Sequence, residues 1–395
     1  MRSMFPGQFR LNDDGFAALW SNCIFAVDAN VLLNLYRYSP ETRMELEKAL
    51  EVVKDRLFIP HQAAKEFLKN RLIVTAAQAE EYTRAIKTIT DLSTNLSNKK
   101  KHPFLAEGEL PHFNDEVGKL LTQLESQKNS LLGRLTNDEI LEFVATMFTG
   151  KTGGPFDENT LKTIVVEGEA RYLNEIPPGY KDGKKDVSGD PYRKFGDLII
   201  WKQMILKAKE ASKPIIFISD DQKDDWWLEQ LGRTIGPRTE LREEFIKESS
   251  NDFWMYTADR FIEESARITQ THVSQKAIEE IKEVSEEVKA ERSAGYTSST
   301  SPFKPISKEE LLDRLSISEK WATKNEGFLG LVHFVINYLG NAGYDYATSY
   351  EIINQLQDEG LLEIYDHQGE GHERSIKALR LSRRNQYQNR PLEPA

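Results

Sequence analysis

Four short apolar runs punctuate the first two-thirds of the chain: residues 24–28 (IFAVD), 56–60 (RLFIP), 213–221 (KPIIFISDD) and 253–258 (FWMYTA). Each is too short for a helix and carries no polar face, the pattern of a strand covered on both sides in a parallel sheet. Between them apolar positions return to helical spacing. Val31, Leu32, Leu35 and Tyr36 continue from the first run, and Ser39 with Pro40 predicts the cap and first turn of the helix ETRMELEKALEVVK. Residues 61–96 predict a long helix with Glu66 in its first two turns, and GDLIIWKQMILKAKE (196–210) and DRFIEESARI (259–268) predict two more. Short strands alternating with helices predict an α/β fold around a parallel sheet.

The remaining text changes character twice. Residues 100–180 are helical and charged, with helix formers over 116–135 and a capped segment near Asn137, so they predict a helical insertion. PPGYKDGKKDVSGDPYRKFG (177–196) is a loop by its Gly, Pro, Asp and Lys content. A charged helix over 274–292 leads into SAGYTSSTSPFKP (293–305), a linker by composition. Beyond it, FLGLVHFVINYLGNAG and TSYEIINQLQDEG predict amphipathic helices, the second with Thr348 and Glu351 at capping-box spacing. LLEIYD and RSIKALRLS then flank the turn QGEGHE, an order of helix, helix and hairpin that resembles a winged helix. The expected division is residues 1–270 for the α/β domain, 271–305 for helix and linker, and 306–390 for a small winged-helix-like domain.

Composition narrows the classes. A chain of 395 residues exceeds one ordinary core, and 39% hydrophobic with 29% charged residues describes a charge-rich globular protein. No apolar run approaches the roughly 18 residues of a membrane helix, and MRSMFPGQFRLNDDG lacks the apolar core of a signal peptide, so a cytoplasmic protein without membrane contact is expected. The single cysteine, Cys23, excludes an internal disulfide and reads as a small buried thiol. The net charge of -11 gives no global attraction to nucleic acid, although carboxylates clustered in a site contribute to that count.

Those carboxylates share a context. Asp28 ends the first strand, Glu66 lies early in the helix after the second, Asp197 opens a helix, and Asp220 and Asp221 end a later strand. In a parallel sheet such positions gather at one edge. Carboxylates brought together repel, and a hard divalent cation, Mg²⁺ or Mn²⁺, relieves them while keeping open positions for water and phosphate oxygens. Two such ions suffice to hydrolyse a phosphodiester without a protein nucleophile. The signatures of P-loop NTPases, dinucleotide enzymes, zinc proteases and serine hydrolases are missing from the sequence.

Together FAVDANVLLNLYRYS, IPHQAAKEFLKNR, GDPYRKFGDLIIWKQMI and IFISDDQKDDWW resemble the PIN-domain nucleases, in particular the large bacterial PIN-like group, over roughly residues 20–262. The resemblance implies a Rossmann-like sheet and metal-dependent cleavage of RNA in preference to DNA, leaving 5′-phosphate and 3′-hydroxyl ends. It also implies a toxin-like or antiviral-defence setting and leaves room for a regulatory protein partner. By position, Asp28 matches the first family acid, Glu66 the second and Asp197 the third. The fourth falls on Asp221, with Asp220 as a supporting or substitute ligand. Ser219 stands where the family has Ser or Thr, and Asn30 where a polar residue follows the first acid. The long helical insertion departs from the compact family plan.

Every candidate also has a structural reading. Asp28 and Asp197 are both good helix caps, and Glu66 taken alone is a surface helix residue. Asp224 and Asp225 fit the first turn of a helix, with Trp226 and Trp227 packing at its start or stacking on bases. Arg71 suits either a phosphate or an acid partner, Arg193 and Lys194 suit phosphate contact, His61 reads as structural, and Asp190 as a metal ligand or a solvated turn. Arg374, Lys377, Arg380, Arg383, Arg384 and Arg390 make the most basic stretch, suited to a nucleic-acid backbone or to guarding a strand edge. The functional rivals are a noncatalytic binding protein that keeps the sheet, and a phosphatase of small phosphate esters.

Overall fold

The computed structural model describes residues 1, 4–100, 102–183, 191–231, 233–293, 306–324, 329–331, 334–340, 344, 346–367 and 376–382. The linker residues 294–305, the turn 368–373, Asp190, Arg374, Arg383, Arg384 and Arg390 lie outside them. The chain divides into two compact units, Met1–Asn70 with Ile140–Tyr296, and Arg71–Glu139 with Thr297–Ala395. Residues 100–139 of the expected insertion thus group with the carboxyl-terminal segment, and the rest of it with the sheet.

In the first unit the elements run α1 (Asp13–Asn22), β1 (Ile24–Val27), α2 (Ala29–Asn34), α3 (Pro40–Val52), β2 (Leu57–Phe58) and the start of α4 (His61–Ser97). After α5 (Leu110–Gly133) come α6 (Glu139–Met147), α7 (Glu158–Leu173), α8 (Gly196–Ala211), β3 (Ile215–Ile218), the hairpin β4 (Trp227–Gln230) and β5 (Arg233–Pro237), α9 (Thr239–Ser249), β6 (Phe253–Tyr256), α10 (Ala258–Thr269) and α11 (Gln275–Ser293). The sheet has four strands in the order β2-β1-β3-β6, all parallel, with Val27 beside Ile218 and Ile218 beside Tyr256. The four apolar runs are those four strands. Every residue of β1 and β3 is buried, because helices cover both faces and leave neither one for polar side chains.

Local chemistry sets the helix starts. Asn12 caps α1 by accepting from Gly15 N–H, and Ser39 caps α3 at Thr42 N–H with Pro40 in the first turn. Ser39 and Thr42 also donate their hydroxyls to Glu280, which ties α11 to that end. On the other side of the sheet Trp201 of α8 meets Phe253 edge-on at 5.0 Å between ring centres. Arg171 of α7 grips Glu244 of α9 through two bonds of 2.7 Å, and Trp201 Nε1 adds a third at 3.1 Å. Such a bidentate pair orients as well as attracts.

The chain after Asp221 does not form the expected helix. Asp224, Asp225 and Trp226 form a turn and Trp227 opens β4, so no helix starts there. Trp226 instead packs into the core against Trp201 and Phe217, and Trp227 Nε1 donates to the Asp221 carbonyl at 2.6 Å. The acid-rich lead-in looks like a helix start, but burying two indoles beside the sheet prevails over local propensity.

The second unit contains the remainder of α4, α5, α12 (Lys308–Lys324), β7 (Leu329–Gly330), a π-helical stretch Phe334–Gly340, α13 (Tyr346–Asp358), β8 (Leu362–His367) and β9 (Ile376–Leu381). Its sheet is antiparallel in the order β7-β9-β8. Leu311, Leu315, Phe334, Tyr350, Ile353 and Leu379 form its core, which Ala76 and Leu135 join from α4 and α5. The expected helix over FLGLVHFVINYLGNAG is interrupted by β7, and α13 begins two residues ahead of Thr348, which removes Thr348 as its cap. Among the described residues no helix is long and apolar enough to cross a membrane.

Candidate active site

Parallel strands bring their carboxyl ends to one edge, so the residues after Val27 and Ile218 stand side by side. Asp28 follows β1 and Ser219 follows β3. Asp28 caps α2, its Oδ1 accepting from Ala29 N–H at 2.7 Å. Its Oδ2 accepts from Ser219 Oγ at 2.7 Å and from Asn30 Nδ2 at 2.7 Å. Asn30 fastens the neighbouring strand through its other atom, Oδ1 accepting from Asp220 N–H at 3.0 Å. Both oxygens of Asp28 therefore have a set direction.

The two consecutive acids after β3 diverge. Asp220 turns toward the start of α10, Oδ1 accepting from Ala258 N–H at 2.8 Å and Oδ2 from Asn34 Nδ2 at 3.1 Å. Asp221 turns the other way, its Oδ2 standing 3.0 Å from Lys223 Nζ. The same ammonium lies 3.0 Å from Asp197 Oδ2 and 3.0 Å from Asp182 Oδ2. Asp197 is the second residue of α8, after Gly196, and so is not its cap. Its Oδ2 also accepts from Trp226 Nε1 at 3.3 Å.

Glu66 of α4 reaches the same place. Its Oε1 accepts from Gln62 Nε2 at 2.7 Å and lies 2.8 Å from where a Cβ on Gly196 would stand. Only a residue without a side chain lets that carboxylate sit against the beginning of α8, where the helix dipole favours it. The loop before α8 is held by Asp225, whose Oδ2 accepts from Gly179 N–H at 2.9 Å and Lys181 N–H at 3.2 Å. Gly179 adopts φ +90, and a Cβ there would lie 2.4 Å from the Tyr172 hydroxyl, so a left-handed glycine is required on both counts.

The electrostatics follow from this crowding. Burial pushes the Asp28 carboxyl up to about 7; the Ser219 hydroxyl opposes the rise, and the charges of Glu66, Asp197 and Asp221 add to it. Burial, then Asp197, raises Asp225 to about 6. Burial works against the charge on Lys223, but Asp197, Asp221 and Asp182 outweigh it and hold the ammonium protonated. Asp28 thus feels three other carboxylates named from the sequence as its neighbours. Among the described residues no three acidic, histidine or cysteine side chains are arranged to hold a metal ion as they stand. The donor chemistry nevertheless fits a hard divalent cation, because such a cation relieves both the burial of the Asp28 charge and the repulsion that adds to it.

Arg71 belongs to the second unit, where its Nε is 3.4 Å from Asp138 Oδ2. Lys194 pairs with Glu169 at 2.6 Å and covers the Phe195 ring, while Arg193 is exposed in the turn before α8. Arg380, from the basic stretch, pairs with Glu363 across β8 and β9 and lies over Tyr365. Lys223 and Asp182 went unnoticed in the sequence. Lys223 had one signal, a lone cation inside the acidic run SDDQKDD; Asp182 had none in its Gly- and Lys-rich loop.

A parallel α/β sheet with acids gathered at its carboxyl edge places a ligand or reaction site there. A family model described as a PIN like domain matches residues 24–241, more than half of the chain, and the chain belongs to that family. Comparison with curated proteins and with solved structures gives no match.

Proposed function

We propose that the protein is a metal-dependent nuclease that hydrolyses phosphodiester bonds, with RNA as its preferred substrate. The observation that carries this reading is the meeting of charge at Asp28, a carboxyl whose pKa is raised first by burial and further by Glu66, Asp197 and Asp221 from three other segments of the chain. PIN domains are generally nucleases, and membership of that family supports the same chemistry. RNA as substrate, 5′-phosphate and 3′-hydroxyl products and a toxin-like or defence setting come from the resemblance of the four motifs.

In this reading Asp28, Glu66, Asp197 and Asp221 hold Mg²⁺ or Mn²⁺. Asp220 supports the site from behind, since its oxygens serve the α10 backbone and Asn34. Ser219 and Asn30 orient Asp28 as partners behind a metal ligand do. A divalent cation supplies a lowered water pKa and charge neutralisation at the phosphate. The protein's own part is to fix the carboxylate directions and to present Arg193 near α8 for a phosphate. The second unit is proposed as a winged-helix-like module that engages nucleic acid or a protein partner; its support is the order α12, β7, α13, β8, β9 with β7 paired to β9.

The test is incubation of purified protein with labelled RNA, single-stranded DNA and double-stranded DNA, in Mn²⁺ or EDTA, alongside Asp28→Asn. Metal-dependent cutting of RNA that disappears in the variant supports the reading. Equal inertness toward all three polymers in Mn²⁺ overturns it.

A further inference from the structure

Lys223 is the cation already present among the acids. Its Nζ lies 3.0 Å from one oxygen each of Asp182, Asp197 and Asp221, so three ammonium donors meet three acceptors drawn from three separate parts of the chain. An exposed lysine that pairs in passing gains little and takes one partner; this one is at the centre of its partners. Behind it Asp225 is wholly buried, and its Oδ1 has no partner among the described residues, so the pocket around Lys223 holds still more negative demand. A metal ion at the point shared by those three oxygens would have to expel the ammonium that they hold. Asp28 is held by Ala29, Asn30 and Ser219, and Glu66 by Gln62.

We propose that the Lys223 ammonium serves as the built-in second cation of the acidic site, neutralising Asp182 and one oxygen each of Asp197 and Asp221, so that a single divalent ion shared with Asp28 and Glu66 completes it. The proposal rests on the nuclease reading above and replaces one of two metal ions with a tethered one. Lys223 is a positioning residue in this scheme: it sets the charge and the direction of the acids and does not touch the scissile bond. Asp182 becomes part of the machinery through it.

The experiment counts Mn²⁺ bound per full-length chain by calorimetric titration, with the free ion followed by its paramagnetic resonance signal. The wild type is expected to bind a single Mn²⁺, Lys223→Gln to bind two, and Lys223→Arg, which restores the cation, to return to one. Uptake of two ions by the wild type overturns the proposal, as does a Lys223→Gln chain that folds and still takes one. Should Lys223→Gln not fold, the wild-type count and the Lys223→Arg count decide. A chain that binds one Mn²⁺ yet cuts no nucleic acid sinks the nuclease reading and spares the count; cutting with two ions bound in the wild type sinks only the role of Lys223.

Discussion

Asp28→Asn is expected to stabilise the metal-free protein at alkaline pH while removing its response to metal. Burial, helped by Glu66, Asp197 and Asp221 and opposed by Ser219, raises this carboxyl from 3.8 to about 7. Because the folded pKa lies above the unfolded one, the folded protein holds the proton more tightly. The associated stability is fully present below pH 3.8 and is lost as pH rises through about 7. At about 1.36 kcal/mol per pKa unit, the ionised carboxylate costs the fold about 4 kcal/mol. Asparagine keeps the shape and removes that cost. Its amide keeps one oxygen but turns its N–H group toward donors that Asp28 accepted from, Ala29 N–H on one side or Ser219 Oγ and Asn30 Nδ2 on the other, a loss of about 1 kcal/mol. The net gain is about 3 kcal/mol at pH 9 and falls below about 1 kcal/mol at pH 5, where the wild-type carboxyl is protonated. For a unit of roughly 200 residues this corresponds to a rise in Tm of about 6 to 12 °C at pH 9. Thermal melts of both proteins in EDTA at pH 5, 7 and 9 measure it, and repeats in Mn²⁺ should raise only the wild type. A gain that does not vary with pH, or a variant less stable at pH 9, would refute the argument that Asp28 is a strained, buried anion.

Other perturbations separate binding from folding. Gly196→Ala places a methyl 2.8 Å from Glu66 Oε1; the flexible carboxylate yields, so melting should change little while metal-dependent cleavage falls on the order of a hundredfold from misplacement of one ligand. Asp220→Ala removes the acceptor for Ala258 N–H and Asn34 and should lower stability by about 1 to 3 kcal/mol in urea unfolding, whereas Asp221→Asn should leave unfolding nearly unchanged and weaken Mn²⁺ binding; equal stability losses would contradict the divergence of the two acids. Ser219→Ala removes the hydroxyl that lowers the Asp28 pKa, so the pH at which metal-free stability declines should move upward, visible as a displaced midpoint in melts taken across pH 6 to 9.

Much of the α/β framework was legible because its signals are local. An apolar tetrad such as IFAV or IIFI admits no amphipathic face, and an acid at its end marks the sheet edge, so the sequence alone identified the four parallel strands and the Asp28, Glu66, Asp197 and Asp221 positions that press on one another. The hairpin after Asp221 was misread because DDWWLEQ satisfies helix propensity locally, and only the burial of Trp226 against Trp201 and Phe217 overrides it. The direction of each acid was equally out of reach. Adjacent residues Asp220 and Asp221 point to different partners, a matter of backbone path after the strand and not of residue type.

What the amino-acid order determined by itself is therefore the period and the punctuation: where apolar runs form strands, where Ser39 and Pro40 start a helix, and which carboxylates end at the same edge. What tertiary structure alone decided is which charge meets which. Lys223 stands 41 residues from Asp182 and 26 from Asp197 along the chain, yet its ammonium contacts both. Coulomb energy depends on distance in space and on the water excluded around the charges, and folding sets both.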